Sequence, residues 1–223
     1  MNFWGVLLSF GYFFTLLIIA QHLTFLSLEG KRKFVHILLG NWWFMVLAFF
    51  NQVVYASIVP ASFIVINYMS LKRNKKGGLL SELERKKAGS KSYGIVLYPV
   101  SMLLLIILSF EIFHDIRIGG IGLLALSYGD GSAALAGKRF NYIPFEIWGN
   151  KKTLSGSITM FLSTFISIGI YLYITRLQDT LLKATIPAFV VAAISTVVEL
   201  ITPYGADNLA IPALAVFVYN FFY

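Results

Sequence analysis

Apolar residues run along this chain in long unbroken stretches, without the two-residue alternation of a half-buried strand, and short polar connections separate the stretches. Eight such runs cover approximately residues 3–27, 34–50, 53–70, 95–113, 118–137, 156–175, 184–202 and 208–223. A helix needs about 20 mostly apolar residues to cross the hydrocarbon of a bilayer, because every backbone amide must find its partner inside the segment. The pattern therefore predicts an all-α fold, a polytopic integral membrane helix bundle of about eight transmembrane helices, in a single membrane domain over residues 1–223. The first run has no basic start and exceeds the ~7–15 apolar residues of a signal peptide, so it is expected to be a retained helix. Inspection reveals no internal repeat that would mark two inverted transporter halves.

Composition supports the same class. With 58% hydrophobic residues, 13% charged residues and a mean hydropathy of +0.77, the chain is too apolar for an ordinary soluble domain. The absence of cysteine excludes disulfides, thiolate metal sites and a cysteine nucleophile. A net charge of +8 would point a soluble protein toward nucleic acid, but here its distribution explains it. Of the 18 Lys and Arg residues, three lie at Lys31–Lys33, eight between Lys72 and Lys91, and four between Lys138 and Lys152. With eight spans these are the first, third and fifth connections, all on one side. The positive-inside rule makes that side cytoplasmic and puts both termini outside. Topology and anionic lipid headgroups thus account for the charge without a nucleic-acid partner.

Two of the connections are long. Residues 71–94, "LKRNKKGGLLSELERKKAGSKSYG", form a cytoplasmic basic loop whose "LLSELERKK" portion has the makings of a short surface helix. Residues 138–155 form the second, and a helix starting near Ser155 would aim free backbone amides at whatever sits beside Lys151, Lys152, Thr153 and Ser157. Those are the ingredients of a phosphate site.

Seven of the ten acidic residues lie in or near the connections, and three do not. Asp130 lies inside the fifth predicted helix, Glu199 late in the seventh and Asp207 at the start of the eighth. A carboxylate at mid-helix costs about 2.5–3.5 kcal/mol on insertion scales and normally faces a bundle interior or a water-filled cavity. By the predicted topology all three sit toward the cytoplasmic ends of their helices and would meet in one cavity. Asp130 shares a helical stripe with Ala133, Ala134 and Gly137, and Glu199 shares one with Ser195, Thr196 and Thr202. Each has a plainer reading alone: Asp207 as a helix cap, Glu199 bonded to a hydroxyl, His36 as an interfacial side chain, the small residues as packing. Packing, however, does not require a carboxylate. Together with the basic pairs and the Gly/Ser helix start, the set suits Mg²⁺ holding a polyphosphate, since that ion takes one or two carboxylates plus phosphate oxygens. Asp130 would then be a metal ligand and its flanking Gly129 and Gly131 would make room for the nucleotide.

Four blocks carry a resemblance: "RKFVHILLG" at Arg32 to Gly40, "YGDGSAALAGKRF" at Tyr128 to Phe140, "NKKTLSGSITMF" at Asn150 to Phe161, and "VELITPYGADNLAIP" at Val198 to Pro212. In order and spacing they resemble the CTP-dependent lipid kinase family, which includes dolichol kinase, phytol kinase and the fungal type of diacylglycerol kinase, with a more distant similarity to CDP-diacylglycerol synthases. The resemblance implies that the second and third blocks bind CTP and its Mg²⁺ through Gly129, Gly131, Lys138, Arg139, Lys151, Thr153, Gly156 and Ser157. It also implies that Glu199, Asp207 and Asn208 complete the metal site with Asp130. The chain lacks the extra helices of longer dolichol kinases, which moves the acceptor toward a phytol-like, polyprenol or diacylglycerol alcohol. Catalysis would rest on Asp130, on Lys152 neutralising the transferred phosphoryl group, and on His36 or Asp130 as base. Two rivals stand beside this reading: a phosphatidate cytidylyltransferase, which would release pyrophosphate, and an ion-coupled transporter using Asp130 and Glu199.

Overall fold

The computed structural model describes residues 1–73, 86–87, 90–91, 94–147, 149–202 and 205–223. Its helices are α1 (Asn2–His22), α2 (Leu28–Leu39), α3 (Trp42–Phe49), α4 (Val53–Arg73), α5 (Gly94–Ile107), α6 (Ile118–Leu124), α7 (Gly131–Phe140), α8 (Leu154–Ile174), α9 (Leu181–Ile201) and α10 (Asp207–Tyr219). Wider π turns extend α5 through Leu108–Ile112 and join α6 to α7 through Ala125–Asp130. Two antiparallel hairpins accompany them: β1 (Lys86–Lys87) with β2 (Ser90–Lys91), and β3 (Pro144–Ile147) with β4 (Asn150–Thr153).

Five helices are long and apolar enough to cross a membrane, over Asn2–His22, Val53–Ser70, Gly94–Ile112, Leu154–Ile174 and Leu181–Ile201. This is a multi-pass helix bundle, as the apolar runs predict. The other three predicted runs take less regular forms. Residues 34–50 divide at Gly40 and Asn41 into α2 and α3, and 118–140 form one rod with a π turn at its middle. The last run is the shorter helix α10. Side-chain caps fix the helix starts: Ser27, Thr153 and Thr180 each accept the backbone N–H three residues on.

The expected surface helix over "LLSELERKK" lies outside the described residues except for Lys86 and Lys87, which pair as strand β1. The 138–155 connection is more ordered than a loop. It holds the end of α7, then the β3–β4 hairpin, in which Glu146 faces Lys151 in register. Asn141, with φ 44°, closes α7 in the left-handed region, a conformation asparagine tolerates.

The core is aromatic and glycine-lined. Trp42 and Trp43 are fully buried and each indole finds an acceptor: Trp42 Nε1 donates to Ser9 Oγ and Trp43 Nε1 to Ile116 O, both at 2.8 Å. A Cβ on Gly120 would lie 2.1 Å from the Tyr171 hydroxyl, so α6 approaches its neighbours only as glycine. At the end of the bundle where α6 begins, Arg117 donates Nη2–H to Asp115 Oδ2 at 2.6 Å and Nε–H to Oδ1 at 2.9 Å, while the Tyr171 hydroxyl donates to Arg117 O at 2.6 Å. Burial pushes the Asp115 carboxyl up, but the hydrogen bonds from Arg117 outweigh it and hold the group below its ordinary value. The outer surface carries large apolar side chains such as Phe14, Ile66, Ile170 and Phe189, as lipid contact requires.

Candidate active site

The π turn Ala125–Asp130 ends at Asp130, and such wide turns rotate the residues that follow relative to those before. Asp130 is 8% exposed. Its partner comes from α2, where Lys33 Nζ donates to Asp130 Oδ2 at 2.6 Å, with both side chains largely buried. One turn further along α2, His36 Nε2 lies 3.4 Å from the same oxygen and 3.1 Å from Leu126 O. A carbonyl only accepts, so we assign the hydrogen to Nε2, which leaves Nδ1 as the acceptor. Tyr98 of α5 packs edge-on to the His36 ring at 4.7 Å and donates to His36 O at 3.2 Å. A second pair sits opposite: Lys152 on β4 bonds the Glu199 carboxylate near the end of α9, and its Nζ also donates to Glu199 O at 2.8 Å. An anion buried without a partner is costly, and in this protein each of these two is matched by a lysine from a different element.

Both pairs line one cavity of about 1360 Å³. Asp130, Glu199, Asp207 and Asn208 reach it, as do His36, Lys138 and Lys152. So do Lys151, Thr153, Gly156 and Ser157. The stripe Ala133, Ala134 and Gly137 lies along its wall beside Asp130, as the helical spacing predicts.

Three expected residues lie elsewhere. Gly129 packs on α8, where a Cβ would meet Thr164 Oγ1 at 2.4 Å, and Gly131 packs on α2, where one would meet Ile37 at 2.4 Å. These glycines bring helices together and do not make room in the cavity. Arg139, one position past Lys138 on a helix, is turned away from the cavity and exposed. The start of α8 also differs from the expected anion cradle. Gly156 N–H is taken by the Thr153 cap at 3.0 Å and Leu154 N–H by Tyr142 O at 3.1 Å, so neither amide is free for a phosphate. The main residue missed from sequence is Lys33. Its charge is fully explained by the positive-inside count, yet it sits three positions before His36, on the same helical face. That spacing was its available signal.

Five basic residues line the cavity (Arg32, Lys33, Lys138, Lys151, Lys152) and five acidic ones (Glu29, Asp130, Glu146, Glu199, Asp207), so its formal charge is near zero. A polyphosphate entering a balanced cavity needs a cation to accompany it. Among the described residues no three His, Asp or Glu side chains converge on a preformed metal site. The donor set nonetheless fits Mg²⁺, since Asp130, Asp207 and Glu199 offer hard carboxylate oxygens, and the ion needs only one or two of them beside phosphate and water.

Fold and cavity define a multi-pass membrane protein that holds a charged cavity among its helices. A phytol kinase from Synechocystis sp. is 30% identical to this chain over 213 residues, covering 92% of this chain and 85% of that protein. Probable chloroplastic phytol kinases from Triticum aestivum and Glycine max are 30% and 28% identical, and the aligned parts cover 65% and 66% of those longer proteins. No protein-family model matches the chain, and no solved structure matches it. The chain belongs to the lipid kinase family that contains the phytol kinases.

Proposed function

We propose that this chain transfers the γ-phosphate of CTP to the hydroxyl of a phytol-like isoprenoid alcohol, with Mg²⁺ at the nucleotide. The observation that carries the reading is the single cavity in which Asp130, Glu199 and Asp207 stand beside Lys138, Lys151 and Lys152, in a chain that aligns over most of its length with a phytol kinase. Asp130 and Asp207, with Asn208 nearby, would hold the ion, which supplies charge neutralisation at the β- and γ-phosphates when bound. Lys138, Lys151 and Lys152 neutralise the charge that builds on the transferred group.

The reaction forms a bond between the alcohol oxygen and the γ-phosphorus and breaks the one to the β–γ bridging oxygen, which leaves with CDP. The alcohol proton passes to a base in the cavity, His36 Nδ1 or a carboxylate, and a loose transition state asks little of it. Positioning is then the larger contribution. By the positive-inside argument this end of the bundle is cytoplasmic and both termini lie outside.

Purified protein with Mg²⁺ and γ-labelled CTP, offered phytol, farnesol, longer polyprenols and diacylglycerol in turn, should move label into phytol. Repeating the assay with ATP tests the donor. Pyrophosphate release that depends on added phosphatidate, with no label in any alcohol, would replace this reading with the cytidylyltransferase one.

A further inference from the structure

The cavity has a wall that a nucleotide does not use. Beyond its charged end it is bounded by Phe13 and Leu17 of α1, Leu39 of α2, Phe63 of α4 and Met102 of α5. The Phe13 and Phe63 rings meet edge to face at 4.9 Å. Leu39 lies six positions beyond Lys33 on α2 and Met102 eight beyond the start of α5, about 9 and 12 Å of helix rise. The apolar wall thus runs from the charged end toward the middle of the bundle. None of the residues that α1, α4 and α5 contribute to this cavity is charged, and Asn67 is the polar exception on α4. Asn67 is 5% exposed; its Nδ2 donates to Ile95 O at 2.8 Å, and its Oδ1 is buried with no partner. It stands one turn from Phe63, on the side toward the charged end. An unmatched buried acceptor is costly, so a donor from a bound molecule has somewhere to go. The volume agrees: about 300–1,000 Å³ suits one drug-sized ligand, and about 1360 Å³ leaves room for a second.

We infer that this apolar arm, between α1, α2, α4 and α5, is the binding site for the hydrocarbon tail of the acceptor alcohol, with Asn67 Oδ1 accepting from its hydroxyl. The inference rests on the kinase reading for the identity of the alcohol, though the arm itself is geometric. The bond to Asn67 holds the hydroxyl at the mouth of the arm in the resting complex, and on attack the proton turns from Oδ1 to the cavity base while the alcohol oxygen bonds to phosphorus. The arm grips the tail through apolar contact alone and so reads chain length, whereas Asn67 reads the hydroxyl that every acceptor shares.

Wild-type protein photolabelled with a phytol analogue carrying a diazirine at the tail end decides the location without any turnover. Adducts on Phe13, Leu17, Phe63 or Met102, lost when excess phytol competes, are expected. Adducts confined to outward residues such as Phe14 or Ile66 would overturn the inference. In kinetics, Phe63→Trp should raise KM for phytol about tenfold while leaving a five-carbon prenyl alcohol unchanged, and Phe63→Leu should relax the preference. Asn67→Leu should raise KM for both alcohols alike. Equal effects of Phe63→Trp on long and short alcohols would also overturn it. If the wild type phosphorylates no alcohol, the kinase reading fails, and the photolabelling still decides whether the arm takes a lipid tail.

Discussion

The Lys33–Asp130 pair makes the sharpest prediction. The two groups meet at 2.6 Å with side chains 8% and 12% exposed, on α2 and at the end of the π turn. Removing one member of a buried pair strands the other and costs about 3–5 kcal/mol. Because this pair borders a cavity, we take the lower end, about 3 kcal/mol, which is somewhat over a hundredfold in the folded-to-unfolded ratio. Asp130→Asn and Lys33→Met should therefore each lose that much stability, and the double variant should recover most of it, since neither charge is then left alone. On the proposed mechanism, turnover should be lost in Asp130→Asn and in the double variant, because both lack the carboxylate whether or not the fold survives. The assay is reversible unfolding in mixed micelles, followed by circular dichroism, with phosphoryl transfer measured on the same preparations. Single-variant costs that simply add in the double variant would refute the pairing. Full activity in Asp130→Asn would remove its role in the reaction.

Other consequences follow from different parts of the molecule. Gly129→Ala puts a Cβ 2.4 Å from Thr164 Oγ1 and 2.8 Å from Met160 Sδ, so it should cost about 1–3 kcal/mol, and Thr164→Ala in the same chain should restore part of it. Nucleotide affinity should stay unchanged in that pair; a change measured by titration calorimetry would return Gly129 to the nucleotide site. Arg117 holds the Asp115 carboxyl below its ordinary value, so the contribution is present above about pH 4 and disappears as pH falls through the depressed folded value. Asp115→Asn should accordingly be less stable than wild type at pH 6 and converge with it in acid, and a constant gap from pH 6 to 3 would contradict the ion pair. Chelation by EDTA should abolish transfer, with activity returning on added Mg²⁺; activity unaffected by the chelator would rule out the metal.

How much of this was legible before the structure depends on what each signal measures. Continuous apolar runs report burial in lipid or protein, so the helical, membrane-spanning class was readable, as was the convergence of Asp130, Glu199 and Asp207 on one cavity. Helical spacing carried Ala133, Ala134 and Gly137 onto the wall beside Asp130 because they follow the π turn, on the regular helix that starts directly after Asp130. The misread residues fail for identifiable reasons. A glycine beside a functional residue looks the same in sequence whether it faces a ligand or a neighbouring helix, and Gly129 and Gly131 face Met160 and Ile37. The β3–β4 hairpin is four residues to a strand with no strong alternation, too short for periodicity to separate from loop. Lys33 was absorbed by a topological explanation, and one explanation for a residue does not exclude a second.

That double duty explains why the charged end can exist at all. A basic connection at the membrane surface is placed there by the charge bias that orients the chain, before any substrate is considered. Lys33 on α2 and Lys152 on β4 leave such connections for the helix ends and meet carboxylates that hydrocarbon alone would not tolerate. The cations that carry the predicted orientation signal are thus the ones that make Asp130 and Glu199 affordable inside the bundle. Moving Lys33 outward by a turn of helix, or Lys152 along its strand, would keep the predicted orientation signal and strand the acid, so that signal and the charge balance of the cavity draw on the same residues.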